Sequence, residues 1–259
     1  MKHQKILEAL QNAERTRIAM GPFSDMAPGG LTLDEAKAIN EEGIRQRLEI
    51  GEKLAGYKVG FTNIAVRQKM GLPGSTYGYI LDPIVMKSGD TCRMDELVGP
   101  KVETEICFKL KSRLLASDLT IEKVIDATEG VRPSFEICDA RIKDWKCPYP
   151  DFFADNGFSA RIVLGGDSWI DPRSVDLREV TDVLYKDGEK IAEGEGSNAL
   201  DHPANAVIWL AQELAKREKT INAGELVMTG TLTPILPAQR GSKYRALFTP
   251  LGEVSVTFV

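Results

Sequence analysis

The chain has 259 residues, of which 42% are hydrophobic and 27% are charged, and its formal net charge is −5. This is the composition of an ordinary globular protein with ample core volume, and it lacks the basic excess typical of nucleic-acid-binding proteins. No apolar run is long enough to span a membrane, no secretory signal is evident, and the four cysteines form no CxxC pair. We therefore expect a cytoplasmic protein with reduced thiols.

The amino-terminal part of the sequence is predicted to be helical. Residues 5–17 place apolar side chains at helical spacing, and the Gly- and Pro-rich residues 21–30 predict a loop. Residues 31–56 predict a long helix, because Thr32 is a good N-cap and Glu35 follows three residues later, as in a capping box.

After residue 56 the pattern changes to short strands and glycine-rich turns. The predicted strands lie at 56–62, 77–85, 99–110, 131–142, 159–166, 182–196, 224–230 and 253–259, and the predicted helices lie at 63–72, 117–130 and 202–220. Asp187-Gly188 is a hairpin signal. Because strands and helices do not alternate regularly, we predict an α+β fold, with a helical region over residues 1–56 and a mainly β body over residues 57–259 in one integrated domain. No Gly-rich phosphate loop follows the first strands, which argues against nucleotide binding.

Two glutamates stand one residue apart in an otherwise apolar strand, VETEI. Since side chains alternate along a strand, Glu103 and Glu105 share one face with Lys101 and Cys107. A solvated strand face is one interpretation of this pattern. A metal site is the other, because two carboxylates roughly 7 Å apart repel each other unless water or a shared cation screens them.

A third glutamate, Glu136, lies in another apolar strand between Phe135 and Ile137. Alone, such a glutamate is more typical of a sheet edge or an ion pair than of a ligand. Together with Glu103 and Glu105 it makes three carboxylates without the histidine or cysteine spacing of a zinc site, which favours magnesium or manganese.

Other candidate residues each have two interpretations. Lys58 lies in a predicted strand, either as a surface lysine or as a charge-stabilising or acid–base group at the metal pocket. The loops ADNGFS (154–159) and TGTLTP (229–234) are either ordinary turns or loops that bring amides and hydroxyls near a ligand. His202 precedes a helix, where capping competes with catalysis as its role.

The order of these motifs resembles a known family. The segments are GYKVGFT, YGYILD, GPKVETEI, FEICDARIKDW, ADNGFS, EGSNALDHPANAVIWLA and AGELVMTGTLTP. They resemble the 2-keto-4-pentenoate hydratase and 4-oxalocrotonate decarboxylase family, within the fumarylacetoacetate hydrolase-like superfamily. The resemblance runs from about residue 50 to the carboxyl terminus, and more loosely through the amino-terminal helices.

The resemblance implies a helical amino-terminal portion packed on a mixed β-roll core, a divalent metal (Mg²⁺ or Mn²⁺) and a homo-oligomer. The substrate would be a small 2-hydroxydienoate or its 2-oxo tautomer from meta-cleavage of aromatic rings. By analogy with the family, the metal ligands are Glu103, Glu105 and Glu136, the active-site lysine is Lys58, and the residues near the substrate are Asp155, Asn156, Thr229 and Gly230.

The resemblance implies that one active site can serve two reactions, hydration and decarboxylation. In both, the 2-oxygen of the substrate accepts electrons. Hydratases often carry an aspartate just before a Tyr-Gly or Phe-Gly pair, and this sequence has Thr76 there. Decarboxylases also lack that aspartate, but the segments IKDWK, GSNALDHPANAVIWLA and TGTLTP look closer to hydratases. We therefore expect a hydratase, with the decarboxylase as the alternative and with Asp82 as the substitute acid.

Two further interpretations come from the same resemblance. Carbon–carbon hydrolases of the superfamily tend to use a histidine on the amino-terminal side of the site, and this sequence offers only His3 there. A non-catalytic subunit that associates with a related pathway enzyme is the other interpretation, and the intact glutamate trio argues against it.

Overall fold

The computed structural model describes residues 2–21, 23 and 26–259. Two helices open the chain, α1 (Lys2–Thr16) and α2 (Leu33–Glu49). The capping box of α2 forms as predicted, since the Thr32 hydroxyl accepts the amide of Glu35 and the Glu35 side chain accepts the amide of Thr32. Of the predicted loop 21–30, residues 22, 24 and 25 lie outside the described residues.

The larger sheet has eight strands and is mixed. Its order is β2-β1-β10-β5-β6-β7-β3, and β11 pairs with β5. The pairs β1–β10 and β3–β7 are parallel, and the other pairs of this sheet are antiparallel. The bounds are β1 Leu54–Gly60, β2 Thr76–Leu81, β3 Val85–Lys87, β5 Lys101–Leu110, β6 Thr128–Cys138, β7 Ser159–Leu164, β10 Leu226–Met228 and β11 Leu236–Pro237.

The smaller sheet has five strands in the order β4-β13-β12-β8-β9. The predicted hairpin joins β8 to β9, and Asp187 and Gly188 adopt the positive φ values, 51° and 89°, that its turn requires. The bounds are β4 Thr91–Cys92, β8 Thr181–Lys186, β9 Glu189–Glu195, β12 Lys243–Thr249 and β13 Gly252–Phe258.

Four helices connect the strands: α3 (Ile64–Lys69), α4 (Ile121–Ala127), α5 (Tyr149–Ala154) and α6 (Pro203–Ala215). The prediction of a helix through residue 130 was too long, because the chain becomes extended at Thr128 and pairs with Leu110 of β5. His202 caps α6, with its ring Nδ1 accepting the amide of Ala204 at 3.0 Å, so capping rather than catalysis is its observed role.

The core fills the space between the helices and the two sheets. Fully buried aromatic side chains from both sheets contribute to it, among them Tyr77, Phe108, Phe135, Tyr244 and Phe258. The mixed sheets with segregated helices confirm the predicted α+β class. Within the part of the chain that the structure describes, no helix has both the length and the apolar character needed to cross a membrane.

Candidate metal centre and active-site cavity

The three glutamates come together through the pairing of β5 with β6. Glu103 is directly opposite Glu136 in the antiparallel register, and Glu105 follows two residues along the same face. Glu105 and Glu136 are completely buried, and Glu103 is half-buried. The interpretation of VETEI as a solvated strand face is therefore wrong.

These carboxylates have few hydrogen-bond partners for such buried groups. Among the described residues, neither oxygen of Glu136 and only one oxygen of Glu105 accepts a hydrogen bond. Burial raises the pKa of Glu103 and of Glu105, and the charge of Glu136 raises both further. Buried carboxylates without partners are costly, so the arrangement is one that a positive ion would stabilise.

Lys58 supplies one positive charge next to the glutamates. Its ammonium Nζ lies 3.2 Å from Glu136 Oε2 and donates a hydrogen bond of 2.9 Å to the carbonyl of Gly157. Burial opposes protonation of Lys58, but the charges of Glu136 and its neighbours outweigh this effect and raise its pKa. Lys58 is therefore a buried ammonium, not the surface lysine that was the alternative interpretation.

Cys138 is a fourth candidate ligand that the sequence analysis missed. Its thiol Sγ donates to Glu103 Oε2 at 3.3 Å, and one ligand atom from each of Glu103, Glu136 and Cys138 fits within a span of 4.8 Å. The signal was present in the sequence, because Cys138 follows Glu136 by two residues and so shares its strand face.

The donor set fits a divalent cation. Glu103 and Glu136 provide hard oxygen ligands that lie, with Cys138 Sγ, within 4.8 Å of one another, whereas Glu105, one oxygen of which lacks a hydrogen-bond partner among the described residues, lies outside that group in this structure. Glu105 is fixed by its other oxygen, which accepts the amide of Gly230 at 2.7 Å. The thiol of Cys138 is a softer donor within this group.

A cavity of about 460 Å³ lies beside the carboxylates. At one end it is lined by Lys58, Glu103 and Cys138, and Thr76 and Asn198 add neutral polar groups. The rest of the lining is largely apolar, from Phe61, Val66, Met70, Trp145, Phe152, Phe158, Leu232 and Ile235. Glu193 lines it as well, so the charged lining residues are Lys58, Glu103 and Glu193, and most of the others are apolar.

The loop after α5 contains two residues that hold it in place and two residues that line the cavity. Asp155 and Asn156 do not line the cavity, whereas the next two residues, Gly157 and Phe158, do. Asp155 pairs with the buried guanidinium of Arg141. The side chain of Asn156 accepts the amide of Tyr79 at 2.7 Å and donates to its carbonyl at 2.9 Å, so it is bound to the backbone of β2.

In the loop after β10, too, some residues fix the backbone and others line the cavity. The Thr229 hydroxyl donates to the carbonyl of Ile106 at 2.8 Å, and Gly230 orients Glu105, so neither lines the cavity. Gly230 has φ 96°, and a Cβ there would come within 1.9 Å of Thr62 Oγ1, so the position requires glycine. The following residues, 231–235, line the cavity. These positions do not support direct substrate contacts for Asp155, Asn156, Thr229 and Gly230, and instead make them positioning residues.

Asp82 lies away from this cavity. It is exposed at the opposite end of β2 from Thr76, about 20 Å away by strand geometry. Its carboxylate accepts the amide of Lys53 at 2.8 Å. This position does not support the predicted role of Asp82 as the acid. Six residues along a strand place Asp82 beyond the end of β2 that is far from Thr76.

Curated relatives cover nearly the whole chain. It is 32% identical over 257 residues to a 2-keto-4-pentenoate hydratase of Paraburkholderia xenovorans, covering 99% of this chain and 95% of the relative. The chain belongs to the 2-keto-4-pentenoate hydratase family. It is also 34% identical to a 2-hydroxyhexa-2,4-dienoate hydratase of Comamonas testosteroni, covering 98% of this chain and 95% of the relative.

A solved structure of the same family supports the fold. The 4-oxalocrotonate decarboxylase of Pseudomonas putida G7, complexed with magnesium and adipate, superposes with a TM-score of 0.94 at 31% identity, covering 99% of this chain and 97% of that chain. The fold is of the fumarylacetoacetate hydrolase-like type, as predicted. No family model matches the chain. Both the predicted family and the predicted fold are confirmed.

Proposed function

We propose that the protein is a metal-dependent lyase that adds water to a 2-hydroxy-2,4-dienoate and gives a 4-hydroxy-2-oxo acid, in the catabolism of aromatic compounds. The principal support is a cluster of three carboxylates, two of them fully buried with oxygens unpartnered within the described chain, next to a mainly apolar cavity that Glu103 lines. The names of the curated relatives support the same reaction class.

Glu103, Glu105 and Glu136 would hold the metal, with Mg²⁺ favoured and Mn²⁺ as the alternative. Their oxygen ligands support this choice, and the magnesium in the related decarboxylase structure is consistent with it. When bound, the ion would supply positive charge that stabilises negative charge developing on the 2-oxygen of the substrate.

Lys58 would stabilise the same end of the substrate. An ammonium has three N–H donors, and Lys58 uses one for the Gly157 carbonyl and lies in an ion pair with Glu136, which leaves donor capacity for an oxygen in the cavity. Its raised pKa keeps Lys58 protonated, so it acts as a hydrogen-bond donor and charge stabiliser and not as a general base.

The lining of the cavity favours a substrate with an apolar tail. Among the described residues that line it, Lys58 is the one basic side chain, and Lys101 lies outside, stacked 4.0 Å above the ring of Trp145. A second carboxylate on the substrate would meet aromatic and aliphatic side chains without a cation to pair with it. This supports hydration of a monocarboxylate over decarboxylation of a dicarboxylate.

The hydration has two steps. The dienol loses the proton of its 2-hydroxyl and gains one at C5, which gives the conjugated 2-oxo-3-enoate. Water then adds, with its hydroxyl going to C4 and a proton to C3. The apolar walls, Phe152 and Phe158 among them, keep bulk water from the conjugated chain, so that one positioned water reacts.

The test uses two substrates with the purified protein and Mg²⁺. Freshly generated 2-hydroxypenta-2,4-dienoate should be converted to 4-hydroxy-2-oxopentanoate, followed by ultraviolet absorbance and product identification. 2-Oxo-3-hexenedioate should be a poor substrate and should release no CO₂. Consumption of the dicarboxylate alone, with CO₂ release, would establish the decarboxylase instead.

The decarboxylase is the second candidate because of one position. Thr76 lines the cavity where many hydratases carry an aspartate, and it is almost fully buried. Thr76→Asp should raise hydration if this position tunes the reaction. The predicted homo-oligomer, the association with a related enzyme and the cytoplasmic location stay predictions.

A further inference from the structure

Cys138 places a sulfur atom among the carboxylates of the metal centre. It is the last residue of β6, it is 3% exposed, and its side chain lies on the same strand face as that of Glu136. Its Sγ lies 3.3 Å from Glu103 Oε2, and one ligand atom from each of Glu103, Glu136 and Cys138 lies within 4.8 Å of the others. The proposed function uses only the oxygen ligands of this centre and gives the thiol no role.

The carboxylate of Glu136 independently indicates that a ligand binds here. It is completely buried, and neither of its oxygens takes part in a hydrogen bond within the described chain. The ammonium of Lys58 lies 3.2 Å from Oε2, so Oε1 is the oxygen left for another positive ion. Because a buried carboxylate without partners is costly, a cation next to Cys138 would stabilise this arrangement.

The spacing of sulfur and oxygen fits a tetrahedral ion. With bonds of about 2.3 Å to sulfur and about 2.1 Å to oxygen, a tetrahedral Zn²⁺ ion holds these two ligand atoms about 3.6 Å apart. Cys138 Sγ and Glu103 Oε2 are 3.3 Å apart, so small side-chain movements would admit the ion. Both residues line the cavity, which therefore provides a route of entry and a fourth ligand position for water.

The sulfur determines which class of cation this group favours. Carboxylates suit Mg²⁺, Ca²⁺ and Mn²⁺, whereas a thiolate adds affinity for Zn²⁺ and similar ions. Without a cation the thiol is protonated, because burial and the charges of Glu103 and Glu136 raise its pKa. When a thiophilic ion binds, the S–H bond breaks, the sulfur–metal bond forms and the proton leaves to solvent.

We propose that a thiophilic divalent cation of the Zn²⁺ class binds Glu103, Glu136 and Cys138 and thereby excludes Mg²⁺ from the metal centre. This inference rests on the proposed function, because the site is the metal centre of the proposed hydratase. Glu103 and Glu136 belong to both ligand sets, so the two cations compete, whereas Glu105 lies outside the thiol-containing group. Zn²⁺ is therefore a reversible inhibitor of hydration, and Cys138 sets its affinity.

Two other cysteines provide a contrast. Cys107 is completely buried in a small apolar cluster with side chains such as Ile80 and Met228. Cys147 is half-buried. Within the described part of the chain, neither belongs to a group of three potential metal ligands. Cys147→Ser is the matched control, because it removes a thiol without changing the metal centre.

The first test uses Co²⁺ as a spectroscopic substitute for Zn²⁺. The metal-free protein, kept reduced with a phosphine, is titrated with Co²⁺ and followed in the near ultraviolet. The wild type and Cys147→Ser should develop a sulfur-to-cobalt charge-transfer band that saturates at one ion per chain. Cys138→Ser should not develop it. A wild type that binds Co²⁺ without this band, or does not bind it, would overturn the proposal without reference to any variant.

The second test compares cation affinities by calorimetric titration. Cys138→Ser should weaken Zn²⁺ binding by about 10²-fold or more, because one of three protein ligands is lost. It should change Mg²⁺ binding by less than about threefold, since the oxygen ligands remain. Mg²⁺ should also lower the apparent affinity of the wild type for Zn²⁺. Equal weakening for both cations, or binding of Zn²⁺ that is independent of Mg²⁺, would overturn the proposal.

Inhibition of hydration separates this inference from the proposed function. Zn²⁺ should inhibit the wild type and Cys147→Ser at saturating Mg²⁺, and further Mg²⁺ should restore activity. If the wild type does not hydrate the dienoate but shows the Co²⁺ band and the competition, the proposed function is wrong and this inference holds. If it hydrates normally and the band is missing, the inference is wrong and the proposed function holds.

Discussion

Two buried ion pairs in this molecule differ in how completely they are hydrogen-bonded. In the pair of Arg141 with Asp155, the carboxylate accepts the backbone and side-chain N–H groups of Arg141, and the guanidinium also donates to three backbone carbonyls. In the pair of Lys58 with Glu136, the ammonium lies 3.2 Å from the carboxylate, but neither Glu136 oxygen completes a hydrogen bond within the described chain.

This difference distinguishes an ion pair with a structural role from an ion pair at a candidate ligand site. Arg141 and Asp155 have used their bonding capacity on each other and on the backbone, so the pair fixes the loop that carries Gly157 and Phe158. Glu136 retains oxygens without hydrogen-bond partners in the described chain behind Lys58 and Glu103, which line the cavity, and this is the property of a group that binds a ligand. Burial and charge alone do not distinguish the two pairs.

The largest expected effect is on turnover, in Glu136→Gln. Removal of one metal carboxylate should lower kcat by about 10³-fold or more, corresponding to about 4 kcal/mol or more of transition-state stabilisation. The melting temperature of the metal-free variant should fall less than that of Asp155→Asn, because Glu103 and Glu105 remain as counter-charges for Lys58. Activity and thermal unfolding measured on the same preparation check both parts, and near-normal turnover would contradict the role of Glu136.

Asp155→Asn should have the largest effect on stability. It leaves the Arg141 guanidinium buried without a counter-charge, which should cost about 3–5 kcal/mol of unfolding free energy. Asp151→Asn is the matched control, because Asp151 is equally buried, one of its oxygens has no partner, and burial raises its pKa to about 6. Denaturant unfolding should show a loss only in the first variant. Equal losses would mean that burial, and not pairing, decides the outcome.

The stability of the metal-free protein should depend on pH through Glu103 and Glu105. Burial and the charge of Glu136 raise their pKa values, that of Glu103 from 4.5 to about 7. A carboxyl with a higher pKa in the folded state makes the protein most stable at low pH, and this stability is lost as the pH rises from about 4.5 through about 7. The melting temperature should therefore fall over this range, and saturating Mg²⁺ should reduce the fall. A melting temperature of the metal-free protein that does not change with pH would contradict the repulsion among these buried carboxylates.

Asp82→Asn should have the smallest effect. Its carboxylate accepts the Lys53 amide at an exposed site, so the loss should be about 1 kcal/mol of stability or less, with kcat unchanged. A large fall in kcat at constant stability would restore the predicted role of Asp82 as the acid.

Features with short-range signals could be predicted from the sequence. The capping box of α2, the Asp187-Gly188 turn and the shared face of Glu103 and Glu105 each depend on residues a few positions apart. The role of Asn156 could not be predicted, because it binds the backbone of Tyr79, 77 residues away.

The two loops predicted to contact substrate, 154–159 and 229–234, could also be predicted only in part. Their small and polar residues were correctly associated with the site, but the sequence does not show which residue of each loop faces the cavity. In both loops the motif residues fix the backbone, and the residues directly after them line the cavity.

The central claim is that Glu103, Glu105 and Glu136 form a divalent-metal site, and calorimetric titration of the metal-free protein with Mg²⁺ tests it most directly. The wild type should bind one ion per chain, Glu136→Gln should bind far more weakly, and Asp155→Asn, measured where it is folded, should bind like the wild type. No binding by the wild type, or equal binding by Glu136→Gln, would contradict the claim.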